Sequence, residues 1–190
     1  NSNSSIFTYL DDTYEYNFSE GSILPTNDFS KISISLYKKF SEYGDYLNVI
    51  SMGGYRDVSK VKTNEYKYEA FNTDAQPIVY LKRNFHKEDK KIIFTSCSRF
   101  NPFFDNGKTS VARQCQIIIV ESEKNSNSIL SFFNTKLFKF IEKNTRTGGW
   151  IGISNMIPNI GFTSEWDDSS VYKHFNLNDK EIDYIENAVK

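Results

Sequence analysis

The chain is poor in cysteine and in long apolar runs, and both shortages narrow what it can be. Its 190 residues include two cysteines, Cys97 and Cys115. That is too few for the disulfide framework of a small secreted domain, and too few for a set of zinc ligands. They read as reduced, partly buried thiols. A nucleophilic Cys97 served by His86 or His174 would need a third orienting group and an activating environment, and the sequence displays neither. No apolar run approaches the ~18 residues a membrane span requires. The N-terminal region shows no basic stretch followed by an apolar one. The expectation is a soluble, cytoplasmic protein with no membrane partner. A phosphate-binding P-loop, zinc-ligand spacing and a Ser/His/Asp grouping are also missing. The chain lacks an initiator Met, which reads as processing or as a piece of something longer.

What the chain does have is ring mass and an uneven distribution of charge. Hydrophobic residues make up 38% and aromatics 16%, enough to build one compact core and to argue against disorder. The formal net charge of −1 is the sum of three unlike parts. Residues 1–30 carry five acidic and no basic residues, residues 31–158 carry twenty Lys and Arg against twelve Asp and Glu, and residues 159–190 carry three against seven. A cationic middle attracts a phosphate backbone, which responds to local rather than global charge. The plainer alternative is a solvated surface.

Apolar periodicity sketches the elements. The stretch "YLNVISMGGYR" (46–56) reads as a strand running into a Gly53-Gly54 turn. "PIVYLKR" (77–83), "KKIIFTSC" (90–97) and "CQIIIVES" (115–122) read as further strands. "ISISLYKKFSEY" (32–43) is ambiguous, because it opens with strand-like alternation and can continue as a helix. The three- and four-residue steps of Ile129, Phe133, Leu137, Phe140 and Ile141 predict one helix over 128–144, capped by Asn127 or Ser128. Asn178 followed by Glu181 makes a capping-box pattern for a C-terminal helix with Ile182, Ile185 and Val189 on its apolar face. A short helical turn is expected around Val171, Tyr172 and Phe175. Strands first and helices last predict an α+β fold with a mixed or antiparallel sheet and a few helices.

The tetrapeptide Asn101-Pro102-Phe103-Phe104 is close to the Asn/Asp-Pro-Pro-Tyr/Phe loop with which adenine DNA methyltransferases grip a flipped base. Phe103 replaces the second proline, and no Gly-rich turn followed by an acidic strand end is present to bind a methyl donor. The structural reading is a proline-directed turn leading to Asn106-Gly107, which supplies positive φ between two strands. Asp74 with Glu88, Asp89 and Lys90 is reminiscent of the spaced Asp…Glu-x-Lys set of magnesium-dependent nucleases. In a chain that is 25% charged, so short a pattern arises readily by chance. The remaining constellation is Arg, Lys, amide and aromatic residues in turns: Arg56 after Gly53-Gly54; Arg99, Asn101, Lys108, Arg113 and Gln114 around the "NPFFDNG" turn; and Arg146, Thr147 and Trp150 about Gly148-Gly149. Arg forks onto guanine and Asn or Gln onto adenine, while Lys holds phosphates.

The run "KKIIFTSCSRFNPFFDNGK", the later "QCQIIIVES" and "NSILSFFNTKLFKFIEK", and the ending "FTSEWDDSSVYKHFNLNDKEIDYIE" together resemble the carboxy-terminal part of Eco57I-like, type II adenine-specific DNA methyltransferases and fused restriction-modification proteins. The likeness spans roughly residues 46–187 and is closest over the last thirty. In such proteins this region follows the catalytic domain and serves as the target recognition domain. The resemblance therefore implies a domain at 46–190 that binds double-stranded DNA and has no catalytic or metal-binding residues of its own, preceded by an acidic segment at 1–45. It would work with a methyltransferase or endonuclease domain, and S-adenosylmethionine would belong to that domain. A magnesium-dependent nuclease using Asp74, Glu88 and Lys90, or a protein-docking module, are the alternatives.

Overall fold

A computed structural model of the chain describes residues 3–9, 12–18, 25–52, 57–97, 99–147 and 151–189. Gly53, Gly54, Arg56, Gly148, Gly149 and Trp150 lie outside the described residues. The fold is α+β. Strands β1 (Asn3–Tyr9) and β2 (Asp12–Phe18) form an antiparallel pair, with Asn3 opposite Phe18 and Tyr9 opposite Asp12. Helix α1 (Lys31–Ser41) follows, and then two four-stranded sheets are interwoven along the chain.

The first sheet has the order β3-β10-β7-β8, built from Val49–Ser51, Cys115–Ile119, Lys90–Thr95 and Phe103–Asn106, all antiparallel. The second has the order β4-β6-β5-β9, built from Val58–Ser59, Gln76–Leu81, Tyr68–Thr73 and Ser110–Val111; β5 and β9 run parallel, which makes this sheet mixed. Four helices close the chain: α2 (Glu123–Asn134), α3 (Lys136–Asn144), α4 (Asp168–His174) and α5 (Asp179–Ala188).

Strands β7 and β10 explain their own composition. Ile92, Phe94 and Ile118 join the core shared with the helices, whereas Ile93, Ile117 and Cys115 join a second cluster with Met52 and Val111, against which Phe71 and Phe103 pack. Both faces of the central strands are covered, so they read as continuous apolar runs rather than as alternation. On the helical side, Leu36, Tyr37 and Phe40 of α1 meet Phe132, Phe138 and Phe140. The ambiguous 32–43 stretch is thus a helix. Ser30 accepts from the N–H of Ser33, and the buried positions Ser33, Ile34, Leu36, Tyr37, Phe40 and Ser41 recur at helical steps.

The single helix expected over 128–144 is two. Thr135, at φ −68 and ψ 152, ends α2 and caps α3. Its hydroxyl donates to the carbonyl of Phe132 at 2.7 Å and accepts from the N–H of Phe138 at 3.4 Å. The cap of α2 is Ser122, not Asn127 or Ser128. The apolar stripe passes through the break because both helices bury the same side. The capping box at Asn178 and Glu181 is present as expected. Glu181 does more than cap: its carboxylate also accepts from Lys39 at 2.6 Å and Ser35 at 2.8 Å, tying α5 to α1. No helix among the described residues is long and apolar enough to cross a membrane.

Candidate nucleic-acid interface

Register places the loops. Cys115 faces Thr95, so the start of β10 and the end of β7 share one end of the first sheet. Phe103 faces Ile93, which brings Arg99, Phe100 and Asn101 to that same end. Three backbone hydrogen bonds then gather further segments there. The N–H of Ser96 donates to the carbonyl of Gln114 at 2.8 Å, that of Met52 to Cys115 at 3.1 Å, and that of Ile151 to Ser96 at 3.1 Å. Residues 52, 96, 112–115 and 151 therefore meet, although 99 positions separate the first from the last in sequence.

Arg99 and Arg113 are exposed on these connections, Gln114 is half-buried, and Asn101 is exposed two residues before β8. The Arg99 backbone is steadied from beneath by Thr95, whose hydroxyl donates to the carbonyls of Cys97 at 2.7 Å and Arg99 at 3.4 Å. The turn carrying Arg113 is closed by the N–H of Cys115 donating to Ala112 at 3.0 Å. The Cys115 thiol donates to the carbonyl of Phe71 at 3.2 Å, which fastens the turn to β5. Short, pinned connections of this kind hold long side chains at a fixed base, which recognition by geometry needs.

Gly152 lies close against the end of α3. A Cβ on Gly152 would stand 2.3 Å from the carbonyl oxygen of Thr145, so only glycine lets the chain return so close to the end of α3. Thr147 is exposed just beyond α3. Arg146 has a different environment: its guanidinium meets Glu142 at 2.5 Å, and both side chains are largely covered. Burial pushes the Glu142 carboxyl up, against the pull of Arg146. Asn101 borders a cleft of about 320 Å³ lined by Phe100, Pro102, Leu130, Phe133 and Phe138, with Glu142 at its edge.

Lys108 is not with this group. Lys90 faces Asn106, so the turn bearing Lys108 adjoins the start of β7, a strand length (~17–20 Å) from Arg99. The same turn shows what holds "NPFFDNGK" in place. Asp105 accepts from the backbone N–H groups of Lys108 at 3.1 Å and Thr109 at 3.2 Å, and from the Lys91 ammonium at 2.6 Å. Burial alone would raise the Asp105 carboxyl, but these donors outweigh it and hold it below the ordinary aspartate value. Gly107 sits at φ +70, where a Cβ would come within 2.8 Å of the Glu88 carbonyl. The motif is an anchored turn.

The nuclease triad does not converge. Asp74 lies in the β5–β6 connection, past the Phe71–Val111 pair, whereas Glu88 abuts Gly107 before β9 begins, so they occupy opposite ends of the β5–β9 ladder. Among the described residues no three His, Cys, Asp or Glu side chains group as metal ligands. Compared with known proteins, the chain matches no family model and no curated protein.

Proposed function

We propose that the chain is a sequence-specific DNA target recognition domain, working beside a methyltransferase or endonuclease domain of a restriction-modification system. The observation that carries the reading is the convergence of Ser96, the 112–115 turn and Ile151 through the Ser96–Gln114 and Ile151–Ser96 backbone bonds, with Arg99 and Asn101 following Ser96. It sets two exposed guanidiniums and two side-chain amides on one end of a rigid sheet, in a chain region where Lys and Arg outnumber Asp and Glu. Arg99 and Arg113 act as guanine-reading forks, and Asn101 and Gln114 supply amides suited to adenine. Thr147 contributes a phosphate or sugar contact. Arg146 supports the loop through Glu142 rather than reaching for DNA, and Lys108 serves a different place. The likeness of residues 46–187 to the recognition region of adenine methyltransferases agrees with this division of labour. The catalytic domain would bind S-adenosylmethionine and flip the base.

The test is selection of bound duplexes from a randomised pool, followed by affinity measurements on the selected sequence. Arg99→Ala and Arg113→Ala should each weaken the selected duplex by ~1–3 kcal/mol and relax the preference at one position. A pool that emerges without sequence enrichment removes the proposal.

A further inference from the structure

Away from that end, a cleft of about 460 Å³ opens beside β5 and β6. Its walls come from five stretches of chain, and three of them contribute a lysine: Lys67 before β5, Lys87 between β6 and β7, and Lys108 on the anchored turn. We infer that this cleft is a binding site for a nucleotide unit, with the three ammoniums on its phosphate and the apolar wall against its ring.

Charge balance is the first argument. Among the described residues, none of the three cleft lysines makes an ion pair, and Glu69 is the one carboxylate lining the cleft. Three ammoniums against one carboxylate leave the lining net positive, which favours a bound anion. Lys67 also lies over the Tyr68 ring, 5.2 Å from its centroid, which places cation and ring side by side.

The second argument is rigidity. Lys108 rises from the turn that Asp105 and Lys91 hold from inside. The loop bearing Lys87 is clasped by His86 Nδ1 and Asp89 Oδ2 at 2.7 Å and presses its Glu88 carbonyl on Gly107. The backbone bearing two of the three lysines is thus held in place, which lowers the ordering cost of binding. The apolar part of the lining is the third argument, and it contains Tyr68, Phe71, Pro77 and Ile78. Ile78 is 51% exposed, and Phe71 is held edge-on by Phe103 at 5.0 Å. Apolar and aromatic walls with a few convergent charges are the usual make-up of a small-ligand cleft, and this volume falls in the usual range.

The nucleotide unit can be free or part of a strand, and the experiment separates these sources. The full chain is titrated with ATP by calorimetry, with inorganic triphosphate and a single-stranded thymidine oligonucleotide as competitors. Saturable ATP binding should weaken about tenfold or more in a Lys67→Ala, Lys87→Ala, Lys108→Ala triple variant. It should be unchanged in Lys124→Ala, which alters an exposed lysine on α2. ATP preferred over the oligonucleotide identifies a free nucleotide; the reverse order identifies a strand. The inference is overturned by an absence of saturable binding of either ligand, by indifference to the triple variant while its circular dichroism stays native, or by triphosphate competing as well as ATP. None of these outcomes depends on whether Arg99 and Arg113 read duplex DNA.

Discussion

Removing the Asp105 carboxylate should be among the most damaging single changes to this fold. Lys91 is 0% exposed and the Asp105 side chain 7%, with 2.6 Å between ammonium and carboxylate. Among the described residues, Asp105→Ala leaves the Lys91 ammonium with one remaining partner, the Asp89 carbonyl at 3.1 Å, and frees the N–H groups of Lys108 and Thr109. Breaking one side of a buried pair costs ~3–5 kcal/mol, most of it from the stranded charge. With a urea m-value of about 2 kcal/mol/M, the unfolding midpoint should fall by about 2 M. Lys91→Met should cost less, because Asp105 keeps its two backbone donors and lies nearer water. The double variant Lys91→Met, Asp105→Asn should be more stable than Asp105→Asn alone, since the ammonium is gone and an amide oxygen can still accept from the turn. The pH dependence follows from the depressed carboxyl of Asp105. Its stabilisation is complete above the unfolded aspartate value, near pH 4, and is lost as pH falls further, through the folded value. The gap between wild type and Asp105→Asn should therefore close on acidification. A midpoint shift under about 0.5 M for Asp105→Ala at pH 7, with m unchanged, would refute the reasoning.

Three further outcomes are expected. Thr135→Ala removes the hydroxyl that ends α2 and starts α3, and should cost ~1 kcal/mol in denaturant melts; no loss would mean the break is set by other contacts. Burial pushes the Cys115 thiol up to about 12, so at pH 8 a native-state thiol titration should count one reactive cysteine, the half-buried Cys97, and two after unfolding. Fast labelling of both in the native state would contradict the packing of Cys115 on β5. In selected-duplex binding, Arg146→Ala should lower stability through loss of the Glu142 pair while leaving base preference intact, unlike Arg99→Ala and Arg113→Ala. A changed base preference in Arg146→Ala would return that residue to the reading surface.

Which features could be read from the chain depends on how local their cause is. The α5 start is legible because Asn178 and Glu181 satisfy each other three residues apart. The α4 turn is legible from its apolar residues Val171, Tyr172 and Phe175, and the structure adds a capping box closed by Asp167 and Ser170. The break at Thr135 is hidden because Ile129, Phe133, Leu137, Phe140 and Ile141 keep their spacing across it. Strand β5 is hidden because its lysine- and glutamate-rich surroundings resemble a linker, although Ala70 and Asn72 are buried on it. At the site, the residue types in the turns are visible, but their grouping is a product of register. The pairing of Cys115 with Thr95 unites Arg99 with Arg113, and the pairing of Lys90 with Asn106 sends Lys108 to the far end. The cleft around Lys67 and Lys87 leaves no trace in the sequence, since lysines 20 residues apart converge through strands that had to be paired first.

The most direct measurement is the affinity of the chain for a selected duplex between 50 and 200 mM salt. Cationic side chains on phosphates displace counterions, so log affinity should fall linearly with log salt, and removing Arg99 and Arg113 together should abolish the advantage over a scrambled duplex. Binding that is flat across this range, or equal for selected and scrambled duplexes in the unaltered chain, would contradict the account.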